Sequence, residues 1–292
     1  MSIDFTLSEV TCPITDGKFT LVRKGIKENV DYFLQWTENV LERAESGKYI
    51  NIAIDCEGYC LGSTKNSLSC IHIGEIFNDS FNVKTDQDPP NIGSKPGFIL
   101  ITPFSRTIKE SITKVFNHPN VMIYTFDFFG DFATIIESGI SLQMDNVFDS
   151  QLCLKKSPKS FISLKVPGLF KIVQMAKKLD PLGNKAEQEK NDNKKIFFMV
   201  SSYLFKDCKI PAQQVLTKDM IIIGSSDVYL TGLAAVYCIK NGFSETVLTQ
   251  TKRKVDEFKK LGNSMHSILA APILRHLFFM KDLKYDKDIS LN

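Results

Sequence analysis

Asp55 and Glu57 are the residues in this sequence whose types and spacing best suit chemistry. Ile50, Ile52 and Ile54 alternate with Asn51, Ala53 and Asp55, the period of a strand with two chemically different faces. Residues two apart on a strand share a face, so both carboxylates project together and Cys56 points the other way. Two close anions in an otherwise apolar strand are costly unless something positive neutralises them. A hard divalent cation such as Mg²⁺ meets that need, because it prefers oxygen ligands and keeps waters for chemistry. The structural alternative is a strand end running into a turn at Gly58.

The elements that must position this pair follow from periodicity. A strand is predicted over 19–23 and a helix over 28–46, where Val30, Phe33, Leu34, Trp36, Val40 and Leu41 recur at near-helical spacing. After the strand carrying Asp55, further strands are predicted at 67–77, 98–102, 121–126 and 146–148, with helices near 106–117 and 131–138. Three successive strands followed by alternating α and β predict an antiparallel start joined to a parallel part, a mixed sheet covered by helices. From residue 161 the pattern is mostly helical, with helices expected at 167–179, 198–206, 216–223, 226–240, 244–261 and 264–280. The stretches 78–97 and 180–195 read as long loops, the second, with Lys185, Lys190, Lys194 and Lys195, a polar, solvated insertion or, alternatively, a substrate-gripping loop.

The run Ile52-Ala53-Ile54-Asp55-Cys56-Glu57-Gly58, followed by Ser67-Leu68-Ser69-Cys70-Ile71-His72-Ile73-Gly74, resembles the first motif of the DEDD 3′–5′ exonuclease superfamily, and Asp-Cys-Glu-Gly is similar to its Egalitarian-like branch. Val121 to Phe132 resembles the second motif, with Asp131 as the match and Asp127 as the alternative; either aspartate could instead cap the helix that begins there. Ser225-Ser226-Asp227-Val228-Tyr229 resembles the third, with Asp227 at the last ligand position. The resemblance spans roughly residues 20 to 240. It implies a ribonuclease H-like α/β fold, a five-stranded mixed sheet flanked by helices with a mostly helical C-terminal part. The exonuclease-like domain would occupy 1–242, and 243–292 would be a helical extension packed on it.

The same resemblance implies Asp55, Glu57, Asp131 and Asp227 as catalytic metal ligands for two Mg²⁺ or Mn²⁺ ions. Asp55 would bridge both ions, Glu57 and Asp227 would hold the water-side ion, and Asp131 would help hold the other. The substrate implied is the 3′ end of RNA or single-stranded DNA, with protein partners possible. Asp149, in a segment where the family has a strand, an aspartate and a helix, reads as a capping residue. The third motif departs from the family pattern: the positions four and five before Asp227, where active branches carry a tyrosine or a histidine, are Ile223 and Ile222. Around the second motif, Ile123 and Phe126 stand where a basic residue and a histidine are frequent. The alternative function is therefore a catalytically impaired domain acting as an RNA-binding or protein-binding adaptor.

The remaining features are permissive. With 292 residues, 43% of them hydrophobic, the chain can bury a sizeable core. A net charge of +3 is too small to argue for nucleic-acid binding by itself. Neither a membrane span nor an export signal is read, and seven scattered cysteines without a CxxC pair predict a reduced compartment, cytosol or nucleus. His72, His118, His266 and His276 read as packed or surface histidines, Tyr229 as packed or exposed. Phe126, Phe128, Phe129 and Phe132 read as core rather than as base-stacking groups. Lys252, Arg253, Lys254, Lys259 and Lys260 read as a solvated helix face, the alternative being that they line the approach to the cleft.

Overall fold

The structure is a computed structural model and describes residues 7–58, 68–92, 96–153, 169–190, 192 and 218–261. The strands are β1 (Glu9–Thr11), β2 (Lys18–Val22), β3 (Ile50–Gly58), β4 (Leu68–Glu75), β5 (Gly97–Ile101), β6 (Val121–Thr125) and β7 (Val147–Asp149). The helices are α1 (Lys27–Glu45), α2 (Arg106–Phe116), α3 (Phe128–Glu137), α4 (Leu169–Ala176), α5 (residues 183–190), α6 (Lys218–Lys240) and α7 (Ser244–Leu261).

The sheet order is β1-β2-β5-β4-β3-β6-β7. β3 pairs antiparallel with β4, which pairs antiparallel with β5, while β6 and β7 continue parallel from the other side of β3. These five strands are the mixed sheet expected for a ribonuclease H-like fold. Two N-terminal strands widen it to seven, β2 lying parallel to β5 and β1 antiparallel to β2. The short run Glu9–Thr11 carries little periodic signal and forms a strand by pairing with β2.

Each face of the sheet is covered by helices. Ile52, Ile54 and Cys56 of β3 pack with Phe33 of α1, Ile108 of α2, Phe128, Phe129 and Phe132 of α3, and Phe258 of α7. Ala53, on the opposite face, packs with Tyr124, Phe148, Ile172 of α4 and Leu230 and Leu233 of α6. Strand alternation therefore aims Asp55 and Glu57 at the α4 and α6 side. α6 is long and apolar enough to cross a membrane by length and composition, but nearly all of it is buried in this fold.

Three expectations are corrected. The two helices expected at 216–223 and 226–240 are the single helix α6. Gly224, which lies between the two expected helices, is continuous helix and gives a close approach: a Cβ there would lie 2.2 Å from the His72 ring. The stretch 180–195, read as a loop, contains α5, whose Leu182, Ala186 and Lys190 recur at intervals of four on one helix face. Helix α3 begins at Phe128, earlier than the expected 131. The expected helices 198–206 and 264–280, together with His266 and His276, lie outside the described residues.

Candidate metal centre

β3 carries Asp55 opposite His72 and Glu57 opposite Cys70 of β4. α6 crosses this face closely because its contact residues are small. Gly224 sits against the His72 ring, and Gly232 faces Ile76 at the other end of β4. His72 Nε2 lies 3.1 Å from the Ile221 carbonyl oxygen, tying the helix to the strand. Burial holds the His72 pKa down to about 4, so at neutral pH its ring is an uncharged packing group.

This close approach lets the short Asp227 side chain reach the strand. One ligand oxygen from each of Asp55, Glu57 and Asp227 can be chosen so that all three lie within 4.8 Å of one another. Among the described residues, Asp55 Oδ2 is buried and has no hydrogen-bond partner. Burial raises the Asp55 carboxyl well above its ordinary range, and the charges of Glu57, Asp227 and Asp131 add to the effect. Burial and then Asp227 push Glu57 up to about 8. Two carboxyls, Asp55 and Glu57, that resist ionising together, one of them with an unpartnered oxygen, are donors that a hard divalent cation neutralises.

Asp131 stands beside this triplet, in the first turn of α3. Its Oδ2 accepts a hydrogen bond from the Thr125 hydroxyl at 3.2 Å. Its pKa is raised first by burial, then by Asp127, with Asp149 and Glu57 adding smaller contributions. Asp127, the alternative match, holds the residue before α3 in a left-handed conformation at φ 69° and makes no side-chain cap. The cap comes from Asp149, whose carboxylate accepts from the Asp127 and Phe128 amides at 3.0 Å and 3.4 Å and from Gln151 at 3.1 Å. Asp149 thus fixes the start of α3, and with it the position of Asp131.

The third-motif positions Ile222 and Ile223 pack as hydrocarbon and place no polar side chain beside Asp227. Tyr229 is buried, its hydroxyl donating to Asp180 Oδ1 at 2.5 Å. Phe128, Phe129 and Phe132 are buried and Phe126 packs partly buried against the core. His118 accepts the Asn120 amide at 3.1 Å in a turn. Of the five cations on α7, Lys254 is buried near Glu257, 3.9 Å away, so it does not belong to the solvated face expected for it.

One residue at the centre was missed by sequence reasoning. Lys190 Nζ lies 2.5 Å and 2.8 Å from the two carboxylate oxygens of Asp227. Burial pulls its pKa down, but Asp227, with Asp55 and Glu57, outweighs this and raises it. The signal that could have found it is the spacing of Leu182, Ala186 and Lys190 inside a stretch that composition alone marks as polar.

No family model matches the sequence, and no curated protein does. Solved structures similar to this chain include the catalytic core of RRP6 from Trypanosoma brucei, at 16% identity over 90% of this chain and 64% of that one, with a TM-score of 0.39. A cysteine-to-serine mutant of the same core is similar at 17% identity over 89% of this chain and 60% of that one, with a TM-score of 0.38. This chain therefore spans less than two thirds of those chains.

Proposed function

We propose that this chain is a divalent-metal-dependent 3′–5′ exonuclease domain of the DEDD type, acting on the 3′ end of RNA or single-stranded DNA. The Asp-Cys-Glu-Gly run favours its Egalitarian-like branch. The observation that carries this reading is the convergence of Asp55 and Glu57 from β3 with Asp227 from α6 within 4.8 Å, at a point where Asp55 Oδ2 is buried and unpartnered. In this reading Asp55, Glu57, Asp131 and Asp227 hold Mg²⁺ or Mn²⁺. When bound, the metal supplies an activated water and stabilises the leaving oxygen of an in-line phosphoryl displacement.

The chain's own contribution is positioning. β3 fixes Asp55 and Glu57 on one face, and the close packing of α6 on His72 fixes the reach of Asp227. The Asp149 cap fixes α3, and Thr125 orients the Asp131 carboxylate. Ile222 and Ile223 supply no group to orient the attacking water, and loss of such a group commonly costs on the order of 10²–10⁴-fold. The chain would then be a slow nuclease.

Those isoleucines also favour a second reading, a catalytically silent adaptor that binds RNA or a protein. A 5′-labelled single-stranded oligonucleotide incubated with Mn²⁺ separates the two. Stepwise shortening from the 3′ end that vanishes in Asp55→Ala and Glu57→Ala is expected for the nuclease. Retention of the oligonucleotide without shortening, and without need of metal, would establish the adaptor instead.

A further inference from the structure

Lys190 is a built part of the centre. The segment that carries it is tied to α6 from both sides. Asp180, just before α5, accepts from the Tyr229 hydroxyl at 2.5 Å and from the Leu182 amide at 2.9 Å. At the far end Lys190 bridges both oxygens of Asp227 at 2.5 Å and 2.8 Å. Between them Ala186 is fully buried, and Lys177 pairs with Glu187 at 2.7 Å. The Lys190 and Asp227 side chains are only 19% and 12% exposed. Drawing two charges this far out of water is expensive, and the surrounding carboxylates offset that cost for a cation at this spot and no other kind of group.

An ammonium and a divalent ion are alternatives at such a position. Mg²⁺ sits about 2.0–2.1 Å from its oxygen ligands, so an ion on the Asp227 oxygens would lie within a few ångström of the Lys190 charge and repel it. Lysine has three N–H donors. Two are engaged by Asp227.

We propose that Lys190 is a tethered cation that takes the place of the ion on the Asp227 side, so that this chain holds one divalent ion, on Asp55 and Asp131, where the family resemblance implies two. This rests on the carboxylate site proposed above and changes its metal content.

Titrating the full chain with Mn²⁺, with free ion followed by electron paramagnetic resonance and heat by calorimetry, tests it. One ion per wild-type chain is expected, two per chain in Lys190→Met and in Lys190→Gln, and one again in Lys190→Arg. Melting curves confirm that each variant titrated is folded. Two ions in the wild type, lost in Asp55→Asn, would overturn the role of Lys190 and leave the site itself standing. Mn²⁺ binding that survives Asp55→Asn, or no binding in any variant, would overturn both.

Discussion

The two ends of β3 carry polar side chains on the same face and treat them oppositely. At one end Asn51 is buried and fully engaged. Its Nδ2 donates to the Asn78 and Phe81 carbonyls at 3.2 Å and 3.0 Å, and its Oδ1 accepts from the Tyr124 hydroxyl at 3.0 Å. Four residues on, Asp55 keeps a buried oxygen with no partner, beside other carboxylates. Buried polar groups in a folded chain are normally satisfied, so Asn51 is what a structural polar residue looks like on this strand. Asp55 departs from that standard on the same backbone, a few residues away, which argues for a ligand rather than for loose packing.

The contrast can be broken most directly by substitution at each end. Asp55→Asn and Glu57→Gln should reduce nuclease activity to background while raising the melting temperature of the metal-free chain, because each removes a charge from a crowded site. Asn51→Ala should do the reverse. It would leave the carboxylates in place but cost about 3 kcal/mol in denaturant unfolding, given the several buried groups it orphans. If Asp55→Asn destabilised the metal-free chain as much as Asn51→Ala does, the two ends would be equivalent and the ligand argument would fail.

The helix that closes the site sharpens the comparison further. Gly224→Ala would drive a methyl into the His72 ring, and overpacking of this kind costs about 1–3 kcal/mol. It should also loosen Asp227 from Asp55 and Glu57, so nuclease activity should fall along with stability. Unchanged activity per folded molecule in a destabilised Gly224→Ala chain would mean that the closeness of α6 serves packing alone.

The smallest effect is a pH slope. Glu57 and Asp149 have folded pKa values raised to about 8 and about 7. A raised folded value means that the folded chain binds more protons than the unfolded one above the ordinary carboxylate range, so stability is lost as pH rises through the folded value. His72, depressed to about 4, acts with the opposite sign, but only below about pH 6.5, its unfolded value. Between pH 6.5 and 8 the metal-free chain should therefore melt at progressively lower temperature, and Glu57→Gln should flatten the slope. A melting temperature that rises across this window would show that the carboxylates are not crowded.

Much of this arrangement was legible in the residues because it is local. The period of two through Ile50, Ile52 and Ile54 fixed which way Asp55 and Glu57 point, and it needs only strand geometry. The spacing of Phe33, Val40 and their neighbours marked α1, and the order of strands and helices marked a mixed sheet. Asp149 was readable as a cap, although the helix it caps is α3, reached across the sheet through the Asp127 and Phe128 amides.

By itself, then, the sequence determined the faces of β3, the mixed sheet and the acidic residues worth asking about, since periodicity and side-chain chemistry act over a few residues. Only the tertiary structure decided that Asp227 meets Asp55 and Glu57, that Gly224 is a contact with His72 and not a break in α6, and that Lys190, from a stretch that looks like solvated loop, sits at the carboxylate centre. The physical reason is common to all three. Each depends on how closely two distant elements approach, and that distance is set by the packing of the whole sheet-and-helix core.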